Sequence, residues 1–331
     1  MNVCIFGSGA IGSYIGALLM KSGVNVSLIC RGDHLKAIQS NGLLMQSAES
    51  KNEYFCKPLA TANPSDLGKQ DFIIVTLKAH SAAQTADMIK PLLKENTTVV
   101  SAVNGLPWWY FYKSNNQYEN MRLKSVDPKN LQWDYITPQR SLGCVVYPAA
   151  EIKAPGHVYH LEGDRFPIGE PDGSMSERAK ILSKMLIHAG LKSPVRKNIR
   201  DDIWMKLWGN LAFNPISALS GKTLEDIAND EKLCAIVKNM MLEGQAVANA
   251  LGVNFPISLE KRINGTRNVG AHKTSTLQDL ELGRPMEIDA LTKSVSEAGK
   301  IVNIATPTID KIYSQVKTKA IEAGCYVNPN L

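Results

Sequence analysis

Apolar and polar positions along this chain change rhythm near residue 199. Before it, short apolar runs of strand type alternate with helical stripes. After it the 3.6-residue period holds almost throughout. An apolar run at the N-terminus leads through a glycine-rich turn into a helical pattern over Ala10–Lys21. Asn25–Cys30 reads as a buried strand, with Asp33 expected to cap a helix over His34–Gln39. Asp71–Leu77 is nearly continuous in apolar residues, as in a strand covered on both faces. Ser81–Lys94 places Ala82, Ala86, Ile89 and Leu93 on one helical stripe, and Thr98–Val103 forms the next strand. Ser141–Tyr147, Gly156–His160 and Arg165–Ile168 read as short strands before a helix over Ser176–Ala189.

This order predicts an α/β fold, with a Rossmann-like doubly wound N-terminal domain over residues 1–198. Beyond it, Lys232–Leu251 sets Leu233, Ile236, Val237, Met240, Gly244, Val247 and Leu251 on one face. Met286–Ile304 and Thr308–Ala323 keep the same period, and Thr306-Pro307 is a helix-start signal. An all-helical C-terminal domain over residues 199–331 follows, and 331 residues suffice for two cores. The substrate is expected in a cleft between the domains.

One stretch fits neither rhythm. Residues 106–138 hold eight of the chain's 22 aromatic residues, too many for a disordered linker. The sequence leaves open whether this segment walls the substrate cleft, pads its domain or makes a subunit contact.

Composition narrows the classes. Apolar residues make up 44% and charged residues 21%, ordinary globular values. The net charge of +6 comes without a basic block or stripe, which argues against nucleic acid as a partner. Six scattered cysteines without a Cys-x-x-Cys pair resemble neither a disulfide framework nor a zinc site. His157 and His160 lack a nearby carboxylate or cysteine, so they are expected to be ordinary strand residues and no metal is expected. Val3–Met20 is apolar but has no basic segment before it, and no stretch reads as a membrane span. The expectation is a reduced, cytoplasmic protein that acts on a small molecule, away from membranes; the sequence leaves its assembly open, a homodimer being the candidate.

Candidate chemistry begins in the first turn. Gly7-Ser8-Gly9-Ala10-Ile11-Gly12 is a Gly-x-Gly-x-x-Gly turn with a strand before it and a helix after it. Gly7 permits the tight turn, Gly9 lets a pyrophosphate approach and Gly12 allows close helix–strand packing. The phosphates are then expected over the helix N-terminus. Arg31 lies 19 positions after Gly12, where an NAD site would carry a carboxylate. Asp33 is the competing carboxylate, but it comes later; a guanidinium grips a 2′-phosphate, so NADP (as NADPH) is favoured over NAD as the expected cofactor. Lys78 and Asn104 follow two strand ends and are placed to face it; a solvated loop lysine and an Asn-Gly turn are the plainer readings.

A second constellation lies on the helix that opens the C-terminal domain. Lys206, Asn210 and Asn214 fall at i, i+4 and i+8, flanked by Trp204, Leu207, Trp208 and Leu211. Pro215 is expected to end or kink this helix. A lysine partly withdrawn from water gives up its proton more readily, which suits a carbonyl being reduced.

Together the opening glycines, Arg31, Thr76-Leu77-Lys78, Asn104-Gly105 and Ile203-Trp204-Met205-Lys206-Leu207-x-x-Asn210 resemble the ketopantoate reductase family. Ser275-Thr276-Leu277-Gln278-Asp279 and Glu287-Ile288-Asp289 extend the resemblance nearly end to end. The resemblance implies NADPH-dependent reduction of 2-dehydropantoate to pantoate, on the route to pantothenate and coenzyme A. It implies Lys206 as general acid and Glu287 as the partner of the reacting hydroxyl and nicotinamide region. It also implies Asn210, Asn214 and Ser275 on the substrate, and Arg31, Lys78 and Asn104 on the cofactor, Asn104 near the reacting end. By position alone, Glu287 is a first-turn carboxylate and Ser275 a helix-start residue. The chain departs from the family at His272, where some members carry a substrate-binding Asn, and in the longer segment Trp108–Tyr135. A related reductase of another 2-oxo acid, or a non-catalytic NADPH-binding regulator, are the alternative readings.

Overall fold

The computed structural model describes residues 1–49 and 53–328, which leaves the last three residues of the expected second domain outside it. Among the described residues the chain forms two compact units. The first comprises Met1–Val103, Tyr112–Asn115 and Asn130–Ile199, and the second Asn104–Phe111, Asn116–Lys129 and Arg200–Leu331. The expected division assigned all of 104–129 to the first domain. Most of that stretch belongs to the second instead, because Trp108, Trp109, Tyr110 and Phe111 are buried there as core. The Trp204 indole N–H donates to Tyr110 Oη at 2.7 Å, and Arg200 donates to the Tyr110 carbonyl. These four aromatics therefore pad the second unit.

The main sheet of the first unit contains β1 (Asn2–Phe6), β2 (Asn25–Ile29), β5 (Leu59–Thr61), β6 (Phe72–Val75), β7 (Thr98–Ser101), β8 (Ser141–Cys144) and β11 (Ile168–Gly169). Their spatial order is β11-β8-β7-β6-β1-β2-β5, parallel except for β11. The strand order reverses between β1 and β6, and in such sheets ligands bind beyond the carboxyl ends at that point. The inner strands are buried on both faces, with Val3, Cys4, Ile5, Leu28 and Ile73 wholly inaccessible, whereas Leu59 on the edge strand β5 is exposed. Helices α1 (Ala10–Lys21), α2 (Gly32–Asn41), α3 (Ala79–Gln84) and α4 (Glu177–His188) complete the winding. Asp33 is not the cap of α2: Arg31 occupies that position, and Asp33 pairs with Lys36 on the exposed first turn. The single helix expected over Ser81–Lys94 is α3 followed by a 3-10 segment, Ala86–Leu92. Thr85 donates its hydroxyl to the Ser81 carbonyl, and Pro91 supplies no N–H, so the α ladder is interrupted.

A second sheet went unread in the sequence. β3 (Leu43–Ser47), β4 (Glu53–Cys56), β9 (Ala149–Ala154) and β10 (His157–Glu162) pair in the order β4-β3-β10-β9. The sheet packs on α1, where Tyr14 stacks on His160 with ring centroids 4.3 Å apart. His157 and His160 hydrogen-bond to Gln46, and to Ser47 and the Gly163 carbonyl, respectively.

The second unit is helical: α5 (Ile199–Ser220), α6 (Leu224–Asn229), α7 (Glu231–Ala250), α8 (Leu259–Arg267), α9 (Ser275–Glu281), α10 (Ser294–Ile301) and α11 (Pro307–Glu322). α5 does not end at Pro215 but continues to Ser220. An interior proline costs about 3 kcal/mol. Burying each of Trp204 and Trp208 returns on the order of 4–6 kcal/mol at about 25 cal/mol/Å². Both indoles are fully buried and find acceptors, and beyond the proline Ile216, Ser217 and Ala218 are buried as well, so packing on both sides of Pro215 wins. None of the described helices is long and apolar enough to cross a membrane.

Candidate active site

Two sets of candidate residues stand out, one in each unit. In the first unit a cavity of about 380 Å³ opens beyond β1 and is lined by Gly7, Ser8, Gly9, Arg31, His34 and Leu77 among others. Gly7 has φ +105°, and a Cβ there would lie 2.6 Å from the Leu77 side chain. A Cβ at Gly12 would lie 2.5 Å from Thr76 Oγ1, which itself donates to the Gly7 carbonyl. The turn thus sits hard against the end of β6. At Gly9 a Cβ would meet nothing within 4 Å, so this backbone faces open space. Ala10, Ile11 and Gly12 form the first turn of α1, which has no side-chain cap. Uncapped N–H groups and an open backbone fit a pyrophosphate.

Arg31 is exposed at the cavity wall, and the described lining contains no carboxylate that would hold a ribose 2′-hydroxyl. Cys30 also lines it, its thiol pushed up to about 11 by burial. Lys78 is half-buried at the cap of α3, directly after Leu77 and outside the cavity lining.

In the second unit the Lys206 ammonium donates to Asn104 Oδ1 at 2.7 Å, and Asn104 Nδ2 donates to Glu287 Oε2 at 3.1 Å. All three side chains are half-buried. Lys206 is held by α5, whose next residue, Leu207, is buried. Glu287 lies between buried Met286 and Ile288, with the Met286 N–H bonded to the Cys325 carbonyl. Immediately after it Asp289–Lys293 form a π-helical turn, where a continuous α-helix was expected from Met286. Such turns recur at functional sites.

Asn104 reaches this turn because Gly105 (φ +89°) lies against the Ala290 carbonyl, with no room for a Cβ. Asp289 is clamped by the hydroxyls of Tyr313 (2.5 Å) and Tyr326 (3.0 Å). Burial, together with the Asp289 charge, pushes Tyr326 up to about 12 and Tyr313 higher still.

Asn210 is half-buried one turn beyond Lys206. Asn214 is 5% exposed and donates to Thr276 Oγ1 at 3.2 Å, which ties α5 to α9 beside Ser275. Ser275 opens α9 and is exposed, as is His272. The structure thus joins Lys206, Asn104 and Glu287 directly, and connects Asn214 to the residue next to Ser275. Sequence reasoning named Gly105, Thr276 and Asp289 within its motifs but did not read the close approach of Gly105, the Asn214–Thr276 bond or the Asp289 clamp. Only the Asn-Gly pair and the Glu-Ile-Asp triplet could have pointed to them.

Comparison with known proteins identifies the family of the chain. The family model "Ketopantoate reductase PanE/ApbA" matches residues 3–173, and "Ketopantoate reductase PanE/ApbA C terminal" matches residues 198–320. A 2-dehydropantoate 2-reductase from Mesorhizobium japonicum is 50% identical over 98% of this chain and all of its own length. A Ralstonia solanacearum protein assigned to the ketopantoate reductases superposes with a TM-score of 0.92 at 38% identity, covering 98% of this chain and 99% of its own. A Geobacter metallireducens 2-dehydropantoate 2-reductase gives 0.83 at 27% identity, covering 96% and 99%. With its glycine turn, its Lys206–Asn104–Glu287 run and both family models in place, the chain belongs to the ketopantoate reductase family.

Proposed function

We propose that this chain is an NADPH-dependent oxidoreductase that reduces 2-dehydropantoate to (R)-pantoate, in the cytoplasm, for pantothenate and coenzyme A synthesis. The observation that carries this reading is the run Lys206–Asn104–Glu287, in a chain half identical to a 2-dehydropantoate 2-reductase. When bound, NADPH supplies the hydride accepted by C2 of the substrate. Lys206 gives its proton to the oxygen of that carbonyl as negative charge develops there. The bond to Asn104 fixes where the ammonium offers the proton. Glu287, held by the other end of the same amide, accepts from the hydroxyl that forms. Asn210, Asn214 and Ser275 hold the substrate's hydroxyl and carboxylate. Gly7, Ser8, Gly9, Ala10, Ile11 and Gly12 cradle the pyrophosphate; Arg31 holds the 2′-phosphate, and Lys78, Asn104 and Glu287 hold the remainder of the cofactor. The expected assembly is a homodimer, read by light scattering as twice the chain mass.

Initial rates of NADPH oxidation with 2-dehydropantoate, pyruvate and 2-oxoisovalerate test the reading. A selective rate with 2-dehydropantoate is expected. Turnover of another acid alone would make the chain a different 2-oxo acid reductase, and silence despite NADPH binding would leave a regulator.

A further inference from the structure

His34 is a half-buried imidazole with both ring nitrogens engaged, and the reaction has no use for it. Nδ1 lies 3.1 Å from the backbone N–H of Gly156, in the turn between β9 and β10. An amide N–H can only donate, so Nδ1 carries its lone pair and the proton of the neutral ring sits on Nε2. Nε2 lies 3.1 Å from Ser13 Oγ on α1, which therefore accepts. Ser13 is fully buried, and its hydroxyl in turn reaches Ser8, at 2.8 Å from Oγ and 3.2 Å from the carbonyl. Ser8 is the middle residue of the Gly7-Ser8-Gly9 turn, and both Ser8 and His34 line the cavity. The donors point one way throughout: Gly156 to His34 to Ser13 to Ser8. Burial pushes the imidazole below its usual range, in keeping with a ring held neutral.

We propose that His34 is a positioning residue for the cofactor: through Ser13 it fastens the phosphate-binding turn to the β9–β10 hairpin of the second sheet. The inference rests on the reading of that turn as the NADPH site. Its effect passes through Ser13, so direct contact between His34 and the cofactor is not what sets affinity. The second sheet thereby gains a function: it is the anchorage of the relay.

The test is NADPH affinity, by nicotinamide fluorescence titration, and steady-state kinetics of the full chain and its variants. His34→Ala and Ser13→Ala are each expected to raise the NADPH Kd and KM by about 5- to 30-fold, the loss of one or two buried hydrogen bonds. The double variant should be no worse than the poorer single one, because both break one relay. His34→Asn keeps an acceptor at the Nδ1 position and His34→Gln a donor at the Nε2 position, so each should recover part of the loss. The kcat and the KM for the 2-oxo acid should move little. A normal Kd in Ser13→Ala beside a weakened His34→Ala would mean that His34 touches the cofactor directly, and the relay would be wrong. Additive losses, or equal losses in kcat and affinity, would mean a merely structural role and would also overturn it. An unaltered chain that binds no NADPH would instead sink the cofactor reading itself.

Discussion

Asn104 stands between an ammonium and a carboxylate, and its amide can face them in only one sense. Turned over, it would set its NH₂ against Lys206 and its oxygen against Glu287, and both contacts would repel. The two charged groups therefore orient the amide, and the amide spaces them. Removing the proposed acid should cost turnover and spare binding. Lys206→Ala is expected to lower kcat by about 10²- to 10⁴-fold, the usual weight of a general acid, with the NADPH Kd unchanged by fluorescence titration. A rate near that of the unaltered chain would place the acid elsewhere. Arg31 carries a separable prediction. Arg31→Ala should raise the NADPH KM by about 10- to 100-fold, the loss of a charge-assisted contact, and leave the NADH KM nearly unchanged. Equal losses for both cofactors would remove the 2′-phosphate from its role. The places of Arg31 at the cavity wall and of Lys206 on α5 were legible because each is marked by local spacing, from a glycine turn or along a helix. The Asn104–Glu287 bond joins positions 183 residues apart, and no local pattern encodes that.

Elements show where tertiary packing overrode local preference. Pro215 was expected to end or kink α5, and the helix continues to Ser220, with Ile216 and Ala218 buried beyond the proline. The π-turn after Glu287 also escaped a periodicity argument, which reads an average period and not the hydrogen-bond ladder of a single turn. Its placement depends on the left-handed Gly105 beneath the Ala290 carbonyl. Gly105→Ala must strain its own backbone and displace that carbonyl, a cost above about 1 kcal/mol. Because Asn104 is the preceding residue, the variant should lose thermal stability and kcat together. A melt and a rate that both match the unaltered chain would show that the turn tolerates a side chain. The Tyr313 and Tyr326 hydroxyls hold the other side of the same turn through Asp289. The second sheet was missed for a simpler reason: β3 pairs in parallel with β10, and Leu44 meets His157 across more than a hundred residues of chain.

At the scale of the whole molecule, the alternation of strand and helix followed by helix alone was enough to read two kinds of unit, since each rhythm is local. What it could not show was the return of 104–111 and 116–129 to the second unit, which follows from where four buried aromatics find a core. Stability against acid is set by pairs of this non-local kind. Hydrogen bonds from Lys94 and from the Asn2 N–H hold Asp71 below the usual carboxylate range and tie β1 to the start of β6. Burial works against Asp172, yet bonds from Ser174 and Lys113 outweigh it and hold that carboxyl well below the range too. A carboxyl depressed in the folded state adds stability that is complete above its unfolded pKa, about 3.9. That stability is lost as pH falls through the lower folded value. The melting temperature should therefore decline as pH drops from about 5 toward 2, steepest below about 4. Asp71→Asn should melt lower at pH 7, by about 2–4 °C for each 1 kcal/mol of bonding lost. It should also show a shallower decline in acid, because the group that titrates is gone. Melts of both chains across that range, followed by circular dichroism, decide it: parallel curves would mean that Asp71 does not carry the acid sensitivity of the sheet.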